Sequence, residues 1–260
     1  MKGLGQLRSF ITLLIGRSSS VERLILKLLD WYYTHRFRMQ WRCNFPHPHF
    51  EDRRILIFDF AFTDKCCGPY PFYNGFFNSE IIRRGDRLLD IGCGDGFLTR
   101  RFYSELCSSI DAVDISPEAI NYAKRANPAR NIKYYLWDAA ERGFPSDKYD
   151  VICWDGALGH FNPDRIAKVL KKIADSLSED GIFVGSESLG VEGHDHSQFF
   201  HSLDELQTLL QPFFKYVDLK EVNYTLRWAN DFERTEAYWR CSFTLARQRT
   251  VRWMQCYSIP

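Results

Sequence analysis

The sequence predicts an α/β protein built on a doubly wound, mainly parallel seven-stranded sheet, with a helical and aromatic extension at the N-terminus. Three observations lead there. From about residue 81, short apolar runs alternate with helical patterns, as a parallel sheet covered by helices requires. A glycine-rich turn, Gly92-Cys93-Gly94-Asp95-Gly96, cuts the first of these runs short. Two late runs, Tyr216–Val222 and Ala237–Phe243, read as neighbouring strands at one sheet edge.

The elements follow in order. Residues 1–16 read as a short amphipathic helix. A second helix starts after Ser18-Ser19-Ser20, where Ser19 and Glu22 form a capping-box pattern ahead of Val21, Leu24, Ile25, Leu28 and Tyr32. Residues 43–77 are broken by proline and glycine and dense in aromatics, with one strand expected over Ile55–Phe62. The regular part then runs Arg87–Ile91 strand, Asp95–Leu106 helix, Ile110–Ile115 strand and Pro117–Ala126 helix, the last opened by its proline. Ile132–Leu136 and Asp150–Trp154 are the third and fourth strands. Pro163–Leu177 is a long helix that stops before Asp180-Gly181, and Ile182–Ser186 is the fifth strand. Ser202-Leu203-Asp204-Glu205 opens a capped helix before the two edge strands. Two parts are expected, an extension and aromatic lid over 1–79 and the main domain over 80–260.

Composition excludes little. The 260 residues carry a formal charge of +1, from 34 basic and 33 acidic side chains, so the overall balance names no partner. Residues 1–42 depart from that balance, with eight Lys or Arg against Glu22 and Asp30. Their apolar stripe suits either packing on the domain or another copy, or peripheral contact with a membrane surface. Eight cysteines are scattered without a C-x-x-C pair, which reads as reduced, cytoplasmic usage. No apolar run reaches the roughly 18–20 residues of a membrane span.

The glycine turn follows the first strand and so lies at the carboxyl end of the sheet, where such folds bind ligands. Phenylalanine at 97 breaks a G-x-G-x-x-G fingerprint, and no G-K-[ST] follows. Asp90 and Asp95 would oppose a pyrophosphate at a helix N-terminus. They suit a ligand whose near end is an ammonium or sulfonium, and S-adenosylmethionine carries both. Asp114 closes the second strand about twenty residues after the glycines, where a carboxylate accepts from ribose hydroxyls. Asp138 follows the third strand, placed for an adenine amino group, with the Ala139 N–H beside it for a ring nitrogen.

In these pieces, LLDIGCGDGF, AVDIS, the WDAA step and YDVICWDGALGHF, the chain resembles a class I S-adenosylmethionine-dependent methyltransferase over roughly residues 80–245. The resemblance implies the Rossmann-like fold of that family and S-adenosyl-L-methionine as cofactor. It implies Asp90, Gly92 and Gly94 around the methionine portion, Asp114 at the ribose, Asp138 with Ala139 at the adenine, and Ile115 among the cofactor contacts.

It also puts Asp155, at the end of the fourth strand, on the acceptor side, and His160 one turn later as the candidate base. Trp154-Asp155-Gly156 departs from the family's usual small-polar-acidic pattern. Tyr70, Tyr73 and His196 are the candidate substrate contacts. Tyr70 and Tyr73 belong to an aromatic run with Phe72, Phe76 and Phe77 that would shield a sulfonium. Gly193-His194-Asp195-His196, with Glu187 nearby, and the group Cys43, His47, His49 hold ligand-type side chains, yet such loop histidines more often bond backbone, and no metal is expected. The expected acceptor is a small molecule or glycan precursor, methylated on oxygen or nitrogen. Two alternatives stand beside it: RNA or protein methylation, and a non-catalytic cofactor-binding partner subunit. The N-P-P-[FY] tetrapeptide used on flipped bases is replaced by Trp154-Asp155-Gly156-Ala157, so nucleic acid is not expected.

Overall fold

The computed structural model describes residues 70–191, 196–226 and 232–245. Tyr70–Asn223 and Arg234–Pro260 form one compact unit, and Met1–Pro69 with Tyr224–Glu233 form another. The helices expected within residues 1–42 and the strand expected over Ile55–Phe62 lie outside the described residues.

The larger unit opens with helix α1 (Tyr70–Ser79). Strands β1 (Arg87–Ile91), β2 (Ser109–Asp114) and β3 (Ile132–Leu136) follow, with helix α2 (Pro117–Ala126) between the last two. Then come β4 (Tyr149–Asp155), α3 (Pro163–Ser176), β5 (Leu177–Leu189), α4 (Leu203–Leu210), β6 (Tyr216–Leu226) and β7 (Phe232–Ser242). All seven strands join one sheet in the order β3-β2-β1-β4-β5-β7-β6. The pairs among β1 to β5 are parallel, and β7 runs antiparallel to β5. The strand order reverses between β1 and β4, which leaves a crevice at their carboxyl ends. No helix among the described residues is long and apolar enough to cross a membrane.

The helix starts follow the local chemistry. Ser116 accepts from the Ala119 N–H and Asn162 from the Arg165 N–H, each just ahead of a proline at the first helical position. Ser202 caps α4, and Glu205 reaches back to the His201 N–H. Two segments differ from expectation. Over 95–106 the chain makes only a brief helical entry and then a wide π-helical turn at Thr99–Tyr103. The fifth strand starts at Leu177, directly at the end of α3. Asp180-Gly181 is therefore no helix terminator but an irregularity inside β5. A Cβ on Gly181 would stand 2.9 Å from the Ser178 backbone, so glycine lets the chain fold back on itself there.

Side chains alternate across a strand, so the register sorts them into two faces. One face carries Leu89, Ile91, Ile152, Trp154, Phe183, Trp239 and Cys241, which pack with α3 and α4 into an apolar core. Burying each large side chain of this kind contributes about 1.5–3 kcal/mol. The opposite face carries Asp90, Cys153, Asp155, Ser186, Tyr238 and Arg240 in consecutive register rows. It lies under α1, where Phe77 meets the Tyr238 ring at 4.9 Å and the Arg240 guanidinium at 5.0 Å.

Candidate active site

The glycine turn is tied to the second strand by its own backbone. The N–H groups of Gly92 and Cys93 both donate to the Val113 carbonyl, at 2.9 and 3.1 Å. Gly92 and Gly96 have φ of +69° and +72°, a left-handed conformation that favours glycine. Space enforces the choice as well, because a Cβ on Gly96 would come 2.5 Å from the Tyr134 hydroxyl oxygen. The Gly94 N–H donates to Asp114 at 2.9 Å, and the other Asp114 oxygen accepts from the Ser116 N–H at 2.8 Å. Gly92, Gly94 and Asp114 are thus tied together, with Asp90 close enough to feel the Asp114 charge.

The two acids of the turn part company. Asp95 caps the following helical entry by accepting from the Phe97 N–H at 2.9 Å. Asp90 is buried on the α1 face, where the Thr99 hydroxyl donates to it. Burial pushes the Asp90 pKa up to about 7, against the Thr99 bond, and the nearby Asp114 charge adds to the rise. A carboxylate held out of water in this way gains most from a cationic neighbour. Beyond it, Ile115 and Leu136 stand 54% and 51% exposed at the ends of β2 and β3, an apolar platform suited to a flat ring. These residues fit S-adenosylmethionine: a carboxylate for the charged methionine end, Asp114 for the ribose and Ile115 for the adenine.

Past β3, Ala139 is buried, and Asp138 has a partner that its sequence position did not announce. Arg165 on α3 bonds both Asp138 oxygens at 2.7 Å, and the Ala140 N–H donates to one of them at 2.9 Å. Against a desolvation cost that acts upward, these bonds leave the Asp138 carboxyl below its ordinary range. Its charge is secured by the protein itself.

At the carboxyl end of β4, Asp155 belongs to the α1 face. Asn78 donates to one of its oxygens at 2.7 Å and the Ser186 hydroxyl to the other at 3.1 Å. The same Asn78 amide donates to the Tyr103 hydroxyl at 2.9 Å, and the Tyr238 hydroxyl donates to Asn74 at 2.7 Å. Burial and the neighbouring Asp90 charge raise the Asp155 pKa to about 7, opposed by the Ser186 and Asn78 bonds. A row of buried polar side chains under a helix is costly unless it has a use.

His160 belongs to a second cluster. It ends a single 3-10 turn, Leu158–His160, and its ring lies 4.4 Å from that of His196, centroid to centroid. Glu187, buried in β5 on the face opposite Asp155, accepts from the Gly159 N–H at 3.1 Å and stands 4.0 Å from His196. The N–H groups of Ser197 and Gln198 both donate to the Gly159 carbonyl, so residues 196–198 clamp the turn that carries His160. The structure therefore joins His160 with His196, and joins Asp155 with Asn78 and Ser186. Tyr70 and Tyr73 fall in the first turn of α1, and their side chains lie outside the described residues, as does His194. Among the described residues no group of three His, Cys, Asp or Glu side chains is placed to hold a metal ion.

Sequence reasoning missed Asn78, Thr99, Tyr103, Leu136, Ser186 and Arg165. A signal existed for one of them. Asn74 and Asn78 sit four apart in YPFYNGFFNS, polar residues at core spacing in an otherwise aromatic helix.

Comparisons with known proteins agree with this geometry. A methyltransferase-domain family profile matches residues 88–181. Human N-terminal Xaa-Pro-Lys N-methyltransferase 1 is 30% identical over 108 residues, covering 40% of this chain and 48% of that protein. The 27-O-demethylrifamycin SV methyltransferase of Amycolatopsis mediterranei is 28% identical over 131 residues, 48% of this chain and 44% of that one. The chain spans about half the length of the curated relatives it matches. Among solved structures, a SAM-dependent methyltransferase from Leishmania major superposes with a TM-score of 0.54 at 17% identity, covering 70% of this chain and 76% of its own. The Bacillus YcgJ protein gives 0.52 at 16% identity, over 64% and 96%. Fold, glycine turn and strand-end acids point one way: residues 88–181 match a methyltransferase domain, and S-adenosylmethionine is the cofactor that the residues of this site fit.

Proposed function

We propose that the chain transfers a methyl group from S-adenosylmethionine to a nitrogen of an amine-bearing acceptor. The observation that carries this reading is the charge at the acceptor end. Segments 155–162 and 186–191 hold Asp155 and the buried Glu187, with no lysine or arginine among them. Basic amines arrive as ammonium ions, and carboxylates near the ends of neighbouring strands, one on each face of the sheet, attract them. Two relatives are named for amine acceptors, the human N-terminal Xaa-Pro-Lys enzyme and mouse EEF1A lysine methyltransferase 4.

Bound S-adenosylmethionine supplies an electrophilic methyl group whose former bonding pair stays with sulfur. The protein's part is alignment, exclusion of water and proton removal. Asp155 holds the acceptor N–H groups, fixed in turn by Asn78 and Ser186. His160, backed by His196, takes the proton that the acceptor nitrogen must lose before its lone pair forms the new N–C bond.

A second reading, transfer to a hydroxyl oxygen of a small molecule or glycan, is favoured by the paired His160 and His196 rings, since an oxygen acceptor needs a base most. Labelled-methyl transfer across a panel of peptides with free N-termini, lysine peptides, small amines, phenols and sugars separates the two. Label on amines, reduced at least about tenfold in His160→Ala, supports the first. Label confined to phenols or sugars replaces it with the second.

A further inference from the structure

Asn78 stands apart from the residues that a methyltransferase sequence announces. It projects from α1, is fully buried, and spends both of its amide hydrogens on named partners, Asp155 and the Tyr103 hydroxyl. That pattern fixes the amide's orientation. Turned over, its oxygen would face the Asp155 oxygen 2.7 Å away, acceptor against acceptor. The remaining Asn78 oxygen is buried with no hydrogen-bond partner among the described residues, and so is the Asn74 amide nitrogen one turn earlier. Buried polar atoms are rarely left so, and where they are, a functional reason is the usual explanation.

We propose that Asn78 is a positioning residue for methyl transfer, presenting the Asp155 carboxylate as the acceptor of the substrate's N–H groups. An ionised carboxylate offers about four lone-pair sites. Asn78 takes one on one oxygen and Ser186 one on the other, which leaves each oxygen a further site. Among the described residues, the charged and titratable neighbours are Asp90 from β1, Cys153 on β4 itself and Tyr103 from the π-helical turn. None of them is a cation. Asp90 works against a charged Asp155, and Asn78 with Ser186 works for it. Asn78 therefore sets both the direction and the charge of the group that meets the substrate. This rests on the reading that Asp155 faces the acceptor.

The test follows kcat/KM for an amine acceptor against pH at saturating cofactor, in wild type, Asn78→Leu and Tyr103→Phe. Removing the amide costs the charged form its donor, so the acidic limb moves to higher pH by about one unit and turnover at pH 6 falls about tenfold. Activity returns at high pH. Tyr103→Phe keeps the Asn78–Asp155 bond and leaves the limb in place. Carbon-13 NMR of the aspartate carboxyls, assigned through Asp155→Asn, gives the Asp155 midpoint in the cofactor-bound protein with no acceptor present, and it moves with the limb. A folded Asn78→Leu protein with limb and midpoint both unmoved overturns the proposal. Should Asn78→Leu fail to fold, as shown by loss of cofactor binding at pH 8.5, Asn78→Ser is read the same way. Should no amine be methylated by wild type, the function proposed above fails, while the Asp155 midpoint still decides the role of Asn78.

Discussion

Asp114 shows how much one carboxylate can carry. It closes β2, accepts from the Gly94 and Ser116 N–H groups, and so couples the glycine turn to the place where a ribose would lie. Replacing it with alanine removes both duties. S-adenosylmethionine affinity in Asp114→Ala is expected to fall at least tenfold, about 1.4 kcal/mol, by calorimetric titration. Asp114→Asn, which keeps one acceptor oxygen, falls less; equal affinity in all three proteins would remove Asp114 from the pocket. Residues of this kind were legible because strand end and spacing alone place them. Asp90 and Asp95 were not separable, since only the fold shows that one points to Thr99 and the other caps a helix. Asn78 stood out only as a polar residue at core spacing, and its role was hidden for a different reason. Its partner Asp155 lies 77 residues away, and no local pattern records such a pairing.

At the scale of elements, the helices α2, α3 and α4 were readable almost to the residue, because a capping side chain marks each start, followed by proline in α2 and α3. The beginning of β5 was not, because Asp180-Gly181 carries the signature of a turn after a helix and is used instead within a strand. The loop that returns to the His160 turn was also hidden. Gly190 donates to the Phe200 carbonyl at 2.7 Å, which closes the loop's ends and hangs His196 over Gly159. A Cβ on Gly159 would stand 2.1 Å from the His196 ring. Gly159→Ala should therefore lower kcat by about tenfold to a hundredfold through displacement of His160, with cofactor affinity unchanged. Full activity in that variant would show that the clamp does not set His160. Gly185→Ala is a contrasting probe. Its Cβ would meet the Trp154 carbonyl oxygen at 2.1 Å and the Trp239 ring at 2.4 Å, inside the apolar core. Overpacking there should cost about 1–3 kcal/mol of stability, seen as a lower denaturation midpoint.

Across the whole molecule, the two sheet faces divide the labour, and the polar face has a consequence for stability against pH. Asp90 and Asp155 have pKa values raised from 3.8 to about 7. Between pH 4 and 7 the unfolded chain has released these protons and the folded one still holds them. The folded state binds more protons there, so the protein without cofactor loses stability as pH rises through that window and levels off above it. Asp138 and Asp150, with lowered pKa values, act oppositely but below about pH 4. A cationic ligand favours the ionised Asp90, so the shift in melting temperature given by S-adenosylmethionine should grow from pH 5 to 8. Asp155→Asn should flatten the profile of the free protein, and a wild-type profile already flat over that range would count against both assignments. One further consequence concerns the order in which the chain is made. The cofactor half is drawn from the contiguous stretch 87–139, whereas the acceptor half closes only when Tyr238 meets Asn74, 164 residues apart. On a ribosome the glycine turn and its strand-end acids emerge well before Tyr238, one of the groups that meet under α1.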